Sequence, residues 1–390
     1  MKRYDFLVVG GGPVGCRAAT KLSIAGHQVA VLERNPSVGG RVCCTGIVSV
    51  ECLKRFKIPR ELVLAELRGA QAFSPSGRIL HISRGEAQAV VIDRGVFNAF
   101  MARQAQEMGA DYLLDNRVES LSVKPDEVAA SVERRDGTRE TFLARAVVLA
   151  CGFGSRLPEK LGLGKINSWT AGAQVEVEAP QLNSEVEVYV GRGVAPGFFA
   201  WLVPSGNGMA LAGLMSRRAV DVHLTAFLEK LKATGKITRV TDRPCYRGIT
   251  TGYTRKSSLA RVLLAGDAAG QVKPLTGGGI YFGLLCADIA ADTLHSAAET
   301  WDFSASGMAL YQKKWKRLLG RELRLGRVGH SLFSRLSDDR IDWLFGMADK
   351  RGLDEKLAAS NKVEFDWHGR AMLHMLKKTL LPFRKEDSDG

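Results

Sequence analysis

Apolar positions along the chain follow distinct local patterns. Short, nearly continuous apolar runs cover residues 4–9, 28–32, 146–150 and 261–265, and each leads into a glycine-containing turn or an acidic residue. Runs of this length predict strands that are buried on both faces, as in a parallel sheet. Helical patterns follow the first and the last of these runs, so the sequence predicts a doubly wound α/β domain.

A second pattern is strict alternation of apolar and polar residues, at 175–179 and 186–190. Alternation predicts antiparallel strands with one buried face, which indicates a second domain built on an antiparallel sheet. From residue 301 onward glycines become rare and helix formers dominate. The expected domains are a discontinuous dinucleotide-binding domain of residues 1–67, 91–163 and 245–300, a substrate domain of residues 68–90 and 164–244, and a C-terminal helical region of residues 301–390.

Composition limits the range of functions. The chain has 390 residues, enough for two packed cores, and lysine plus arginine exceed aspartate plus glutamate by 55 − 41 = 14. This excess fits an anionic lipid surface, an acidic partner or nucleic acid, and the absence of a nucleic-acid-binding motif ranks the last reading lowest. The cysteines are odd in number and lack a CxxC pair, which favours a reducing, cytoplasmic compartment and no metal site. No apolar stretch reaches the roughly 20 residues of a membrane-spanning helix.

The most specific motif is Gly-x-Gly-x-x-Gly at residues 10–15, which lies between a predicted strand and a predicted helix. Gly10 would permit the tight turn, Gly12 the approach of a pyrophosphate, and Gly15 close packing of helix on strand. Glu33, at the end of the next strand, is placed to accept hydrogen bonds from ribose hydroxyls. A carboxylate there disfavours a 2′-phosphate, so the unit predicts FAD or NAD rather than NADP.

Other strand-to-helix corners follow along the chain. Asp267 follows the run 261–265, and a glycine-rich turn then leads into a helix at Ile280. Backbone N–H groups at that helix start would favour an anionic reduced flavin. Arg94 opens a helix after Asp93, which by itself also fits an ordinary N-cap with an exposed arginine. Gly152 follows the run 146–150.

In this order the motifs resemble those of the large flavoprotein family that contains aromatic-ring hydroxylases, flavin halogenases and geranylgeranyl reductases. The resemblance covers most of residues 1–300 and implies a Rossmann-like FAD-binding domain. The residues expected to bind FAD are Gly10, Gly12, Pro13, Gly15, Glu33, Arg34, Arg41, Arg94, Val118, Gly152, Asp267, Gly277, Gly278, Gly279 and Ile280.

Two segments favour the geranylgeranyl reductase branch. Cys43 and Cys44 lie in a Cys-x-Gly-like segment that resembles one beside the flavin in those reductases, although two buried packing cysteines are equally compatible. Phe199 and Trp201 belong to a string that resembles the Tyr-x-Trp-x-Phe-Pro signature, which also reads as a core aromatic pair. Phe199 replaces the first tryptophan of the similar halogenase string, and Cys151 replaces the aspartate of the hydroxylases, so both of those branches are disfavoured.

The resemblance implies an FAD-dependent oxidoreductase that reduces isolated C=C bonds of a polyprenyl, geranylgeranyl-type lipid. Cys43 or Cys44 would donate or relay a proton, while Phe198, Phe199 and Trp201 would stabilise carbocation character. Two alternatives are a flavin monooxygenase and an electron-transfer flavoprotein that acts on quinone. Because a second Gly-x-Gly-x-x-Gly unit is lacking, electrons are expected from transiently bound NAD(P)H or from an acidic carrier such as ferredoxin.

Peripheral membrane contact is a further possibility for the C-terminal third. Residues 311–327 and 365–384 mix lysine and arginine with large apolar residues. Basic amphipathic helices of this kind bind anionic membranes, but the ordinary interpretation, which we favour, is a pair of helices that cap the substrate domain with solvated charges.

Overall fold

The computed structural model describes residues 1–40, 42–359 and 365–367. The strands are β1 (Lys2–Val9), β2 (Val29–Leu32), β3 (Ile47–Ser49), β4 (Val63–Leu67), β5 (Gly69–Phe73), β6 (Ile79–Ser83), β7 (Ala89–Ile92), β8 (Asp111–Leu113), β9 (Arg117–Val123), β10 (Val128–Glu133), β11 (Arg139–Leu149), β12 (Trp169–Glu178), β13 (Glu185–Val190), β14 (Phe199–Gly206), β15 (Met209–Ser216), β16 (Arg239–Val240), β17 (Cys245–Thr250), β18 (Ser258–Leu259) and β19 (Val262–Leu264). The helices are α1 (Pro13–Ile24), α2 (Val50–Arg55), α3 (Arg94–Glu107), α4 (Leu157–Lys160), α5 (Val220–Ala233), α6 (Ile280–Thr300), α7 (Ala305–Phe333), α8 (Asp338–Lys350) and α9 (Leu353–Ala358).

The first sheet contains the four apolar runs. Its order is β18-β19-β11-β1-β2-β8, and β19, β11, β1, β2 and β8 are mutually parallel. Helices α1, α3 and α6 cover one face, where Phe6, Leu22 and Phe282 are fully buried. The opposite face is covered by β9, β10 and the short α4 rather than by long helices. The predicted α/β fold with a Rossmann-like parallel sheet is confirmed, with this meander on its second face.

The second sheet contains the alternating segments. Its order is β16-β12-β15-β14-β13-β5-β6, and β17 pairs with β12 on the same edge as β16, at residues 169–174 of β12. Pairing is antiparallel throughout except between β13 and β5, whose separation by more than a hundred residues leaves room for the crossover that parallel strands need. Helix α5 packs behind β12 and β15, so Phe227 and Leu231 cover that face of the sheet.

The sheet pairing departs from one predicted boundary. We expected residues 245–300 in the dinucleotide-binding domain, but β17 pairs with β12 over residues 169–174 and belongs to the second sheet. The chain therefore crosses back only after Thr250. Residues 69–83 join the second sheet as expected, whereas β7 pairs with β3 and β4 in a small separate sheet.

The C-terminal region begins with α7, which contains the predicted basic helix 311–327. Tyr311, Trp315, Leu319 and Leu323 recur every four residues and are fully buried against the α6 layer. Trp315 Nε1 donates to Ser257 Oγ at 2.8 Å. The first half of the helix thus packs on the dinucleotide-binding domain, whereas its last turns contact the substrate domain, where His330 meets Gly197 and Phe198. The predicted cap on the substrate domain is confined to this end of the helix. The second predicted basic segment, residues 365–384, lies outside the described residues from residue 368 onward. None of the described helices combines the length and apolar character that a membrane crossing requires.

Candidate active site

The Gly-x-Gly-x-x-Gly corner connects β1 to α1. Gly10 has a φ of +106°, and a Cβ at Gly15 would lie 1.9 Å from Gly10 O. These two positions therefore admit only glycine without rearrangement. A Cβ at Gly12 would meet nothing within 4 Å, which leaves open space in front of the first turn of α1. The backbone geometry is what the predicted roles of Gly10, Gly12 and Gly15 require.

Glu33 lies at the end of β2 and faces this corner. Its Oε2 accepts the Gly11 N–H at 2.7 Å and its Oε1 accepts the Asn35 N–H at 2.9 Å. A carboxylate offers about four acceptor positions, so both oxygens can still accept ribose hydroxyls. Arg34 beside it is exposed. Val118 is different, because its side chain packs in the core under β9 and only its main chain could contact a ligand.

The later corners converge on the first. Gly152 has a φ of +68°, and the preceding Ala150 O would lie 2.5 Å from a Cβ at Gly10. Val14 on α1 would contact a Cβ at Gly283 on α6 at 2.6 Å. The starts of α1 and α6 therefore lie side by side, with Gly152 beside them. Pro13, Gly277, Gly278, Gly279 and Ile280 line the same cavity as Gly12.

Asp267 and Arg94 add charge to this junction. Asp267 accepts a hydrogen bond from Arg247 at 2.5 Å and lies against Gly279 at the start of α6. Arg94 is the first residue of α3, and its Nε and Nη1 are buried without a hydrogen-bond partner among the described residues. Burial lowers the pKa of Arg94. Arg41 lies outside the described residues.

These residues fit an FAD. A buried guanidinium with two unpartnered nitrogens and a glycine cradle without Cβ atoms are features that a phosphate-bearing or anionic group would satisfy. Glu33 supplies acceptors for a ribose, and α1 and α6 direct their N-termini into the same cavity.

The cavity continues from this junction beneath the second sheet. Its volume is about 740 Å³. Beyond the corners its walls are mostly apolar and come from the small sheet and from β5, β6, β13, β14, β15 and β17; they include Leu67, Ala70, Ile82, Val186, Val188, Val190, Phe199, Trp201, Val203, Met215 and Ile249. One face of the second sheet packs against α5, and the side chains of its other face line this chamber instead of filling a closed core.

Phe199 and Trp201 both face this chamber. Their ring centroids are 6.0 Å apart at 60°. The Trp201 indole lies across Gly213, where a Cβ would be 2.6 Å from Cζ2, so a larger residue at Gly213 would displace the ring. Phe198 is not among the chamber's lining residues; its buried ring packs on His330 at 4.5 Å and belongs to the same apolar cluster as Trp201. Its contribution to catalysis stays a prediction.

Cys43 and Cys44 line the chamber beside Arg94 and Arg247. A hydrogen bond with Cys245 and burial together raise the pKa of the Cys43 thiol far above its ordinary range. Cys43 therefore keeps its proton at neutral pH. Cys245 and Arg247 were missed from the sequence, because β17 has only a weak alternation and lies in a segment assigned to the other domain.

A buried ion pair also borders the chamber. Lys273 Nζ lies 2.5 Å from Asp366 Oδ1, and their side chains are 8% and 5% exposed. Lys273 also lies over the Phe365 ring at 4.9 Å. Neither residue was singled out from the sequence, since Lys273 carries no motif and Asp366 lies more than ninety residues away.

Comparisons with known proteins agree with this arrangement. The family described as "FAD binding domain" matches residues 3–287. The chain is 30% identical to the "Digeranylgeranylglycerophospholipid reductase" of Methanosarcina mazei, over 88% of both proteins, and 29% identical to the Methanocaldococcus jannaschii protein of that name, over 87% of this chain and 89% of the relative.

Solved structures give a similar result. A "geranylgeranyl bacteriochlorophyll reductase-like" protein from Thermoplasma acidophilum superposes with a TM-score of 0.86 at 25% identity, over 97% of this chain and 96% of the other. A flavin-dependent halogenase superposes with a TM-score of 0.70 at 18% identity, over 97% of this chain and 78% of the other. The halogenase likeness concerns the fold alone.

Proposed function

The chain belongs to the FAD-binding-domain family and, within it, to the geranylgeranyl reductases, and from this premise we propose that it saturates isolated C=C bonds of a polyprenyl lipid. It is an FAD-dependent oxidoreductase. The observation that carries the proposal is the apolar chamber of about 740 Å³ that starts at the converging corners and continues beneath the second sheet.

FAD, when bound and reduced, supplies the hydride. In this proposal Gly12 and the start of α1 face its pyrophosphate, and Glu33 and Arg34 lie at the ADP ribose. Arg94, Asp267 and the start of α6 lie at its flavin half, with Gly277, Gly278, Gly279 and Ile280. The unpartnered Nε and Nη1 of Arg94 support an anionic group there.

The chamber suits a substrate without polar groups. A prenyl chain placed along Val188, Val203 and Trp201 would leave water, and each buried methylene contributes about 0.8 kcal/mol. The same walls exclude water from the reacting double bond. Binding energy from the unreactive part of the chain would also position the double bond to be reduced.

An isolated double bond has no carbonyl to stabilise a carbanion, so protonation has to accompany hydride transfer. Carbocation character then develops on the more substituted carbon. The faces of Phe199 and Trp201 could stabilise that charge by about 2 kcal/mol in a desolvated chamber.

The proton is proposed to reach the substrate through Cys43 or Cys44. The raised pKa of Cys43 keeps the thiol protonated, which suits a relay and makes the thiol a weak acid. Lys273, which is paired with Asp366 and also lines the chamber, is a second candidate proton donor, since an ammonium loses its proton far more readily than a guanidinium. Full alkene reduction by both Cys43→Ala and Cys44→Ala with FAD bound would exclude the cysteines, and loss of reduction in Lys273→Met would then identify Lys273.

Electrons are proposed to arrive from transiently bound NAD(P)H or from an acidic carrier such as a ferredoxin, which the +14 charge would attract. Peripheral membrane contact is proposed at the end of α7 and on α8, which carry the exposed apolar side chains Val328, Leu332, Trp343 and Leu344. Liposome flotation with and without anionic lipid tests this contact, and salt-independent absence of binding would exclude it.

The main experiment is anaerobic photoreduction of the FAD-loaded protein, followed by incubation with a prenyl lipid mixture and mass spectrometry. We expect mass gains of two hydrogens for each bond reduced. Rapid oxygen consumption stimulated by a substrate would indicate a monooxygenase instead. Reduction of a quinone analogue without any saturated prenyl product would indicate an electron-transfer role.

A further inference from the structure

A second cavity, of about 800 Å³, lies on the other side of the chamber wall. We call it the arginine basin, and it is lined by Ser168, Arg192, Pro196, Gly197, Ser216, Arg217, Arg218, His223, Thr251, Arg327, His330, Ser331, Ser334 and Arg335. Five of these residues are arginines, and no aspartate or glutamate is among them.

The arginines at the rim have no counterions in the described part of the chain. Arg192 Nε donates to the carbonyl of Leu336 and Arg192 Nη2 donates to the carbonyl of Arg335. Its backbone N–H donates to Asp338 Oδ1 at 2.8 Å. Arg327 lies over the Tyr253 ring at 5.2 Å. No ion pair joins any of the five guanidiniums to a described carboxylate, so the basin holds a concentrated positive charge that an anion would neutralise.

The floor of the basin is polar and buried. Ser216 is fully buried, Thr251 is 6% exposed, and His330 is 6% exposed. Ser168 and Thr251 share a hydrogen bond of 2.6 Å between their hydroxyls. Burial and the charge of Arg217 lower the pKa of His330, which keeps the ring neutral. Ser216 Oγ donates to Arg218 O at 2.7 Å and His330 Nε2 lies 3.2 Å from Gly197 O, so the floor is neutral and largely satisfied by the protein itself. The groups that can bind the oxygens of a phosphate are therefore the guanidiniums of the rim, each of which can donate two parallel hydrogen bonds.

The basin and the chamber share their walls. Met215 lines the chamber and Ser216 the basin; Thr250 lines the chamber and Thr251 the basin. On α7, Phe333 lines the chamber while Ser334 lines the basin. A phosphate in the basin therefore lies on the other side of the wall of the chamber in which the reduction is proposed.

We propose that the arginine basin binds the phosphate group of a ligand used in the reduction. The inference rests on the proposed function for its connection to catalysis. Two sources share this chemistry: the headgroup phosphate of a prenylated phospholipid, and the phosphates of a nicotinamide dinucleotide. The exposed apolar residues Val328 and Leu332 on the same helix are compatible with the lipid source.

The first test measures binding of inorganic pyrophosphate to the FAD-loaded full chain by calorimetry. We expect the double variant Arg217→Gln/Arg335→Gln to bind pyrophosphate about tenfold more weakly or worse. The matched control is Arg321→Gln/Arg324→Gln, which removes the same charge from exposed positions of α7 outside the basin and should bind like the wild type. Equal affinity in both double variants would overturn the proposal.

The second test distinguishes the two sources. It compares the KM values of the Arg217→Gln/Arg335→Gln variant with those of the wild type. With dithionite as reductant, a KM that the variant raises only for a phosphorylated prenyl lipid, and not for the free prenyl alcohol, identifies the headgroup as the source of the phosphate. With prenyl alcohol as substrate, a KM raised only for NAD(P)H identifies the electron donor. If neither KM changes, the basin has no part in the reduction. Failure of the wild type to reduce any prenyl compound would refute the proposed function, while the pyrophosphate result would stand independently.

Discussion

The two sheets contribute to one chamber in different ways. The parallel sheet contributes strand ends and helix starts, where Gly10, Gly12 and Gly15 shape the main chain. The second sheet contributes a face of side chains, among them Val188, Phe199 and Trp201. The cofactor end is therefore specified by backbone geometry that few residues tolerate, whereas the substrate end can change by side-chain replacement on an unchanged frame. This difference explains how reductases and a halogenase can share the fold.

The largest effect is expected at Gly15. In Gly15→Ala the new Cβ would collide with Gly10 O, a backbone atom that cannot move aside, so the free energy of unfolding should fall by about 3 kcal/mol or more. Gly12→Ala is the matched control, because its Cβ meets no protein atom. It should unfold like the wild type without FAD and bind FAD more weakly. Urea unfolding measures the stability of each variant, and FAD titration measures its affinity for FAD. Equal stability of the two variants would contradict the claim that backbone geometry specifies the cofactor end.

Arg94 tests the charged part of the cofactor end. Arg94→Met removes a buried guanidinium with two unpartnered nitrogens, so the protein without FAD should be as stable as the wild type or more stable. FAD should bind on the order of 100-fold more weakly, since a charge-assisted contact is lost. Arg103→Met, an exposed position on the same helix, is the control. Unchanged FAD affinity in Arg94→Met would contradict a cofactor role.

Much of the cofactor end could be predicted because glycine requirements are local. The turn at Gly10, the open position at Gly12 and the acceptor at Glu33 all follow from a short stretch of chain. The same local motifs made the family and the α/β fold predictable, and the comparisons confirmed both. Phe199 and Trp201 were recognised from a signature, and both line the chamber.

The remaining features depend on long-range pairing that no local pattern encodes. Lys273 meets Asp366 across more than ninety residues, and Cys245 reaches Cys43 only because β17 joins the second sheet. Phe199 and Trp201 line the chamber and Phe198 does not, and the sequence alone does not say which of several adjacent aromatic residues faces a cavity. The arginine basin combines residues from well-separated parts of the chain and has no sequence signature.

Trp201 tests the side-chain face of the second sheet. Trp201→Leu should lower kcat for alkene reduction by about 30-fold, equivalent to loss of about 2 kcal/mol of cation stabilisation. FAD affinity should not change, since Trp201 lies in the sheet that contributes side chains and not in the glycine corners. Trp169→Leu is the control, because Trp169 is 54% exposed and is not among the chamber's lining residues. A Trp201→Leu enzyme with unchanged kcat would show that the aromatic face only fills space.

The smallest effect concerns Cys43, which lies where the two ends meet. Its hydrogen bond with Cys245 and its burial raise its pKa above the ordinary value of 9.0, so the reactive thiolate stays rare at neutral pH. In a Cys44→Ser background, iodoacetamide should therefore modify Cys43 only slowly at pH 7, and the rate should still be rising above pH 9. Cys245→Ala removes the largest cause of the shift and should speed the modification about threefold or more. Rapid labelling at pH 7, followed by mass spectrometry of the Cys43 peptide, would mean that the neighbouring Arg94 and Arg247 stabilise a thiolate, and the proton relay would then need another donor.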